Sequence, residues 1–225
     1  MIPEDRLQPL PFFQRLVNAL PDAITASVFL YAWMAPLHWH ETLVAELMLV
    51  MLVEFALIHS APFLGSIVLA SDEALKKRLV AFAGFTVFYG LFIGGYALGF
   101  KSWWPVIAFA WLITAKLVTM VTDSRHTERQ KQRIRGYWGV SAMFYLFAVF
   151  ATVFLPLPEF GITRHGSAYG ISGSSGVWVT DPHTGIAAGL LYFGLLAATK
   201  LVEQPTWWRN LGRYTARRNE PLIKS

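Results

Sequence analysis

Apolar residues run through this chain in long, nearly unbroken blocks. Six stand out, at 19–36, 43–69, 79–100, 103–122, 137–156 and 184–202. Each is close to the ~20 residues needed to cross a ~30 Å hydrocarbon layer as a helix. The blocks are continuously apolar rather than alternating, so they predict helices and not barrel strands. The pattern predicts an all-α polytopic membrane protein: one domain over 1–225, with six transmembrane helices in one bundle. Two flanking stretches read as helices lying in the membrane interface. In 10–20, Phe12, Phe13, Leu16, Val17 and Leu20 recur near helical spacing, and 206–218 mixes aromatics with arginines. The longest polar interval, 156–183, is rich in Gly and Ser. It predicts an irregular loop or short hairpin, with Val177 and Trp178 turned back on the mouth of the bundle.

Composition agrees. Of 225 residues, 55% are hydrophobic and 15% charged, against ~25% charged in ordinary soluble domains. Mean hydropathy is +0.44. There is no cysteine, which excludes disulfide and thiol chemistry. The opening "MIPEDRLQPLPFF" is acidic at its start and broken by prolines, unlike a secretory signal.

The net charge of +5 would suit nucleic acid, but its distribution points to topology. Lys76, Lys77 and Arg78 follow the second block. Arg125, Arg129, Lys131, Arg133 and Arg135 follow the fourth, and Arg209, Arg213, Arg217, Arg218 and Lys224 lie in the tail. The opposite side carries Lys101 and Arg164. Basic loops stay inside, so both termini are predicted to be cytoplasmic, which requires an even span count. The expected location is the inner (plasma) membrane, with lipid as the surrounding partner and no nucleic acid. Trp103, Trp104, Trp138, Trp207 and Trp208 fall near predicted span ends, where an indole keeps its N–H wet.

Ionisable residues inside the blocks are costly, ~2.5–3.5 kcal/mol at mid-bilayer on insertion scales. The second block carries Glu46, Glu54 and His59, and the fourth carries Lys116. Counted from the outer ends of their blocks, Glu54 and Lys116 lie ~16 and ~20 Å deep. Matched depth predicts a Glu54–Lys116 ion pair, because each charge would offset the other's burial. Glu46 and Glu54 are eight residues apart and share a face, about 80° around the helix. Pro62 removes an amide beside His59 and predicts a kink there. These four residues form a candidate intramembrane polar site. A structural role as hydrogen-bonding glue is the alternative.

Other chemistry is thinner. His38, His40 and Glu41 share an outer loop, and His165, Asp181 and His183 lie on the same predicted side. Imidazole and carboxylate suit zinc or copper, so these six are candidate metal ligands. The His-Glu-x-x-His zinc motif is lacking. "GSSG" at 173–176 resembles the serine motif of rhomboid proteases, but it lies in a loop and no later span carries a histidine. Small residues at four-residue spacing let helices approach closely. Gly90, Gly94, Gly95 and Gly99 do so in the third block, Gly185 and Gly189 in the last. They predict close packing within the chain, or contact with a second copy or another membrane subunit.

The order of features resembles a family of uncharacterised bacterial integral membrane proteins. The matching features are the glutamate of "LMLVMLVEFAL", the aromatic third and fourth blocks, the basic loop, and a last block ending "LLAATKLVEQP". The resemblance covers roughly 20–203. It implies a bacterial inner membrane and a helical bundle, and it implies no activity. Three function classes follow from the residues. The first is ion- or proton-coupled transport of a small solute, and the second a non-catalytic accessory or scaffold subunit. The third is a membrane-embedded metal-binding protein or enzyme.

Overall fold

A computed structural model describes residues 12–38, 41–69, 75–121, 128–171 and 176–202. Five long helices come first: α1 (Phe12–Met34), α2 (Leu43–Leu69), α3 (Leu75–Gly99), α4 (Trp104–Val121) and α5 (Glu128–Phe154). A 3-10 turn (Gly166–Tyr169), the one-turn α6 (Val177–Thr180) and α7 (Pro182–Leu201) complete the chain. The described residues are all-helical, without strands. Four helices are long and apolar enough to cross a membrane: α1, α2 over Leu43–Gly65, α3 and α7. α4 and α5 carry shorter apolar stretches, Trp104–Thr114 and Trp138–Phe154.

Two predicted boundaries differ. The expected interfacial helix 10–20 and the span 19–36 are one helix, because α1 runs unbroken through Pro21. Pro21 lacks the amide that would bond the carbonyl of Val17. Neighbouring helices make such a loss tolerable inside a membrane bundle, and α1 makes its most extensive packing along α7. α5 starts at Glu128, well before the predicted 137. Its extra turns open with Glu-Arg-Gln-Lys-Gln-Arg, strong helix formers that a hydropathy scan passes over. α2 likewise continues through Pro62 to Leu69. The predicted interfacial segment 206–218 lies outside the described residues.

α2 is apolar on every side, the mark of a helix with neighbours all round. It contacts α3, α4, α5 and α7. Its core splits into two main groups. Met48 and Met51 pack with Phe29 of α1, Ala148 of α5 and Ile186 of α7. Leu49, Val53 and Ala56 pack with Tyr89 and Ile93 of α3 and Phe109 of α4. The buried Arg78 at the start of α3 donates from Nε to Ile67 O at 3.1 Å, satisfying a carbonyl in the last turn of α2. α3 shows the opposite character. Val80, Val87, Leu91 and Leu98 stand more than 60% exposed, as a lipid-facing side does.

Small residues fix the closest approaches. A Cβ at Gly189 would fall inside the ring of Phe29, and one at Gly65 inside the indole of Trp138. A Cβ at Gly185 would lie 2.5 Å from Met48 Sδ. Gly185 and Gly189 therefore seat α2 and α1 against α7 within one chain. Gly90 faces Phe109 at 3.9 Å, whereas a Cβ at Gly94 or Gly95 would meet nothing within 4 Å.

The described residues of the interval, 155–171 and 176–181, form a folded cap rather than a loose loop. Trp33 Nε1 donates to Pro158 O at 3.1 Å, and Gly161 N donates to Trp33 O at 3.0 Å. Ile162, Tyr169 and Ile171 are buried beneath it. Trp178 packs on the core beside Gly185, as predicted, but Val177 is exposed.

Candidate functional site

Glu54 sits in the fourth turn of α2 and Tyr192 near the middle of α7. At 1.5 Å per residue, Glu54 lies ~16 Å from Leu43 and Tyr192 ~15 Å from Pro182. α2 and α7 start at the same end of the bundle, so the two residues meet at one level. Tyr192 Oη donates to Glu54 Oε1 at 2.6 Å. That length suits a bond to a carboxylate. Tyr145 of α5 donates to Met51 O, one turn earlier on α2, at 2.9 Å. The two tyrosine rings meet edge to face, 5.5 Å between centroids. Three helices are thus joined by hydroxyl groups at one depth, where neither tyrosine could reach water.

A second polar group lies towards the end where α1 begins and α7 finishes. Lys200 Nζ and Asp22 Oδ2 form an ion pair at 2.5 Å. Arg15 Nη1 donates to Leu201 O at 3.3 Å, covering a carbonyl that the end of α7 leaves open. Tyr192 and Lys200 are eight residues apart, so they share a face of α7. Asp22 and Lys200 both act electrostatically on Glu54. The described cluster holds two carboxylates, Glu54 and Asp22, with one ammonium, Lys200, and one guanidinium, Arg15. With every group ionised its charges balance, and a proton added at Glu54 would leave it one positive charge in excess.

The sequence-predicted residues separate. Glu54 is at the centre of the site. Glu46 is exposed in the first turn of α2 and accepts from Thr42 Oγ1 at 3.0 Å, a local contact at the helix start. His59 turns back on its own helix. Its Nδ1 lies 2.8 Å from Phe55 O, and its ring tilts against Phe55 at 4.0 Å. A carbonyl only accepts, so Nδ1 carries the hydrogen. Lys116 lies on α4, and its side chain is outside the described ones, as is His40. The partner described for Glu54 is a hydroxyl, not an ammonium.

The described candidate metal ligands do not converge. His165 Nδ1 bonds Thr180 O at 3.0 Å, and Asp181 Oδ2 accepts from Thr180 Oγ1 at 2.9 Å. His38 is exposed, with its ring edge towards Tyr31. Among the described residues, no three His, Asp or Glu side chains stand close enough to hold a metal ion, and this includes His38, Glu41, His165, Asp181 and His183.

Tyr192, Tyr145 and Asp22 were missed by sequence reasoning, though a signal existed. A tyrosine in the middle of a span must find a partner for its hydroxyl, since tyrosine otherwise favours the interface. "GLLYFGLL" and "AMFYLFAV" place both there. Comparison with family models, characterised proteins and solved structures returns no match to this chain.

Proposed function

We propose that the chain is a multi-pass protein of a bacterial inner membrane, with six spans and both termini in the cytoplasm. In this reading Glu54 binds and releases a proton coupled to the movement of a small solute. The observation that carries it is the Glu54–Tyr192 bond at mid-helix depth, in line along α7 with the Asp22–Lys200 ion pair. A purely structural bundle gains nothing from an acid there that a Gln could not supply. A proton carrier needs the charge change.

The test is a solute-elicited proton signal. Purified protein in vesicles containing a pH-sensitive dye is challenged with pools of amino acids, sugars and organic ions. At least one pool is expected to move protons, and Glu54→Gln is expected to lose the signal while keeping the wild-type elution profile. An unchanged signal in Glu54→Gln would sink the proposal.

A second reading is an accessory subunit. It is supported by the open space beside Gly94 and Gly95 on α3 and by an apolar groove along α1, lined by Leu20, Ala23, Ile24, Ser27, Val28 and Tyr31. Chemical crosslinking in native membranes separates the two. A defined partner captured at Gly94→Cys, with no solute response in vesicles, would favour the subunit.

A further inference from the structure

Polar groups and dry packing divide the seam between α1, α2 and α7 unequally about Glu54. On the side of the cap, the seam is apolar. Phe29, Val44, Met48, Met51 and Ile186 are at most 2% exposed. The Phe29 ring stacks on Phe193 at 5.7 Å and lies against the bare backbone of Gly189. Above these residues Tyr169 and Ile171 close the ends of the helices. On the other side the seam is lined by charge. Asp22 and Lys200 span α1 and α7, with side chains 14% and 38% exposed, and Arg15 follows at the end of α7.

We propose that Glu54 is reached from one side alone, through the α1–α7 seam, with the Asp22–Lys200 pair as its gate. The proposal rests on Glu54 being the working acid and adds the route by which a proton or small cation comes to it. A lysine near a helix end can swing on its four-carbon stem, so its ammonium can leave Asp22 without moving backbone. No such freedom exists on the cap side. A ring fitted against a glycine backbone has no second position without a cavity. The groups facing Glu54 are Tyr192 and Lys200 from α7, Tyr145 from α5 and Asp22 from α1. Among these, the ion pair alone has a side chain with substantial exposure to the outside of the bundle.

The absence of cysteine makes the test clean, because a single introduced thiol has no background. Glu54→Cys is placed in the full chain, in vesicles of known orientation. A small, cationic, membrane-impermeant thiosulfonate reagent is added from one side and then from the other. Modification is expected at least about tenfold faster from the side where α1 begins, the scale on which a charged cleft alters access of an ion. Adding Lys200→Met and Asp22→Asn together should speed it further from that side and leave the other unchanged. Equal rates from both sides, faster reaction from the cap side, or no reaction from either would each overturn the route. If Glu54→Cys does not fold, native Glu54 is labelled from each side with a water-soluble carbodiimide and a tagged amine. The label is located by mass spectrometry, with the same outcomes read in the same way. One-sided labelling without solute-driven proton movement would leave the route standing and remove transport. Proton movement with two-sided labelling would do the reverse.

Discussion

Tyr192 and Gly189 are three residues apart on α7, and one matters for a hydroxyl while the other matters for having no side chain. Gly189→Ala would drive a methyl into Phe29, which is fully buried and stacked on Phe193. Overpacking of this kind costs ~1–3 kcal/mol. Gly94→Ala meets open space and gains helix propensity of up to ~1 kcal/mol. Thermal unfolding in detergent should therefore lower the midpoint for Gly189→Ala and hold or raise it for Gly94→Ala. Equal shifts would refute the packing account. At the hydroxyl, Tyr192→Phe strips the donor from Glu54, whereas Glu54→Gln keeps an acceptor for it. Side-chain hydrogen bonds in membrane bundles average ~0.6 kcal/mol, with a maximum near ~1.7. Tyr192→Phe should be the more destabilising of the two, and Glu54→Gln should elute and melt close to wild type. Glu54 was legible in the sequence because a charge in an apolar run is conspicuous. Its partner was not, because hydropathy counts tyrosine with the aromatics and because cost arguments look for a counter-charge such as Lys116.

Between elements, the α1–α7 seam carries the most extensive packing in the structure, and its two helices are separated by nearly the whole chain. No local pattern encodes such a pairing. Each helix shows only that it is apolar, and the choice of neighbour follows from shape: Phe29 into the gap at Gly189, Asp22 at the height of Lys200. Pro21 does not end α1, for a related reason. Taken alone, a proline ten residues into a helix marks an end, but α1 is held against α7 on both sides of it, by Arg15 and Asp22 and by Phe29. The second block was read at its observed limits, Leu43–Leu69, because apolar residues resume after each of Glu46, Glu54 and His59. The Asp22–Lys200 pair can be weighed by a double-mutant cycle of Asp22→Asn and Lys200→Met. Lys200 is over a third exposed, so screening limits the coupling to ~1 kcal/mol or less. Stability in detergent should show that small coupling. A value several times larger would mean that the pair is dry, and that the seam is closed on this side too.

At the scale of the whole molecule, the direction of each helix follows from contacts at its ends. Arg15 near the start of α1 bonds Leu201 at the finish of α7, so the first and last described helices have their chain-terminal ends together. Trp33 at the other end of α1 bonds the cap, and a Cβ at Gly170 in the cap would lie 3.5 Å from Thr42 before α2. The cap therefore marks one end of the bundle, and the two chain-terminal ends mark the other. If α4 and α5 both cross, six passes return the chain to its starting side, as this arrangement requires. A four-pass arrangement with both of them lying along the surface would also return the chain. Lys76, Lys77 and Arg78, in the first turn of α3, lie at the end away from the cap, and the positive-inside rule predicts that this end faces the cytoplasm. Fusions resolve both questions together. Alkaline phosphatase, active only outside the cytoplasm, should be inactive after Ser225 and active when inserted at Gly170. Inserted after Ser102, between α3 and α4, it should be active in the six-pass arrangement. Inserted after Asp123, between α4 and α5, it should be inactive if α4 crosses and active if α4 and α5 stay on the outer face. Activity after Ser225 would invert the whole bundle and with it the side from which Glu54 is reached.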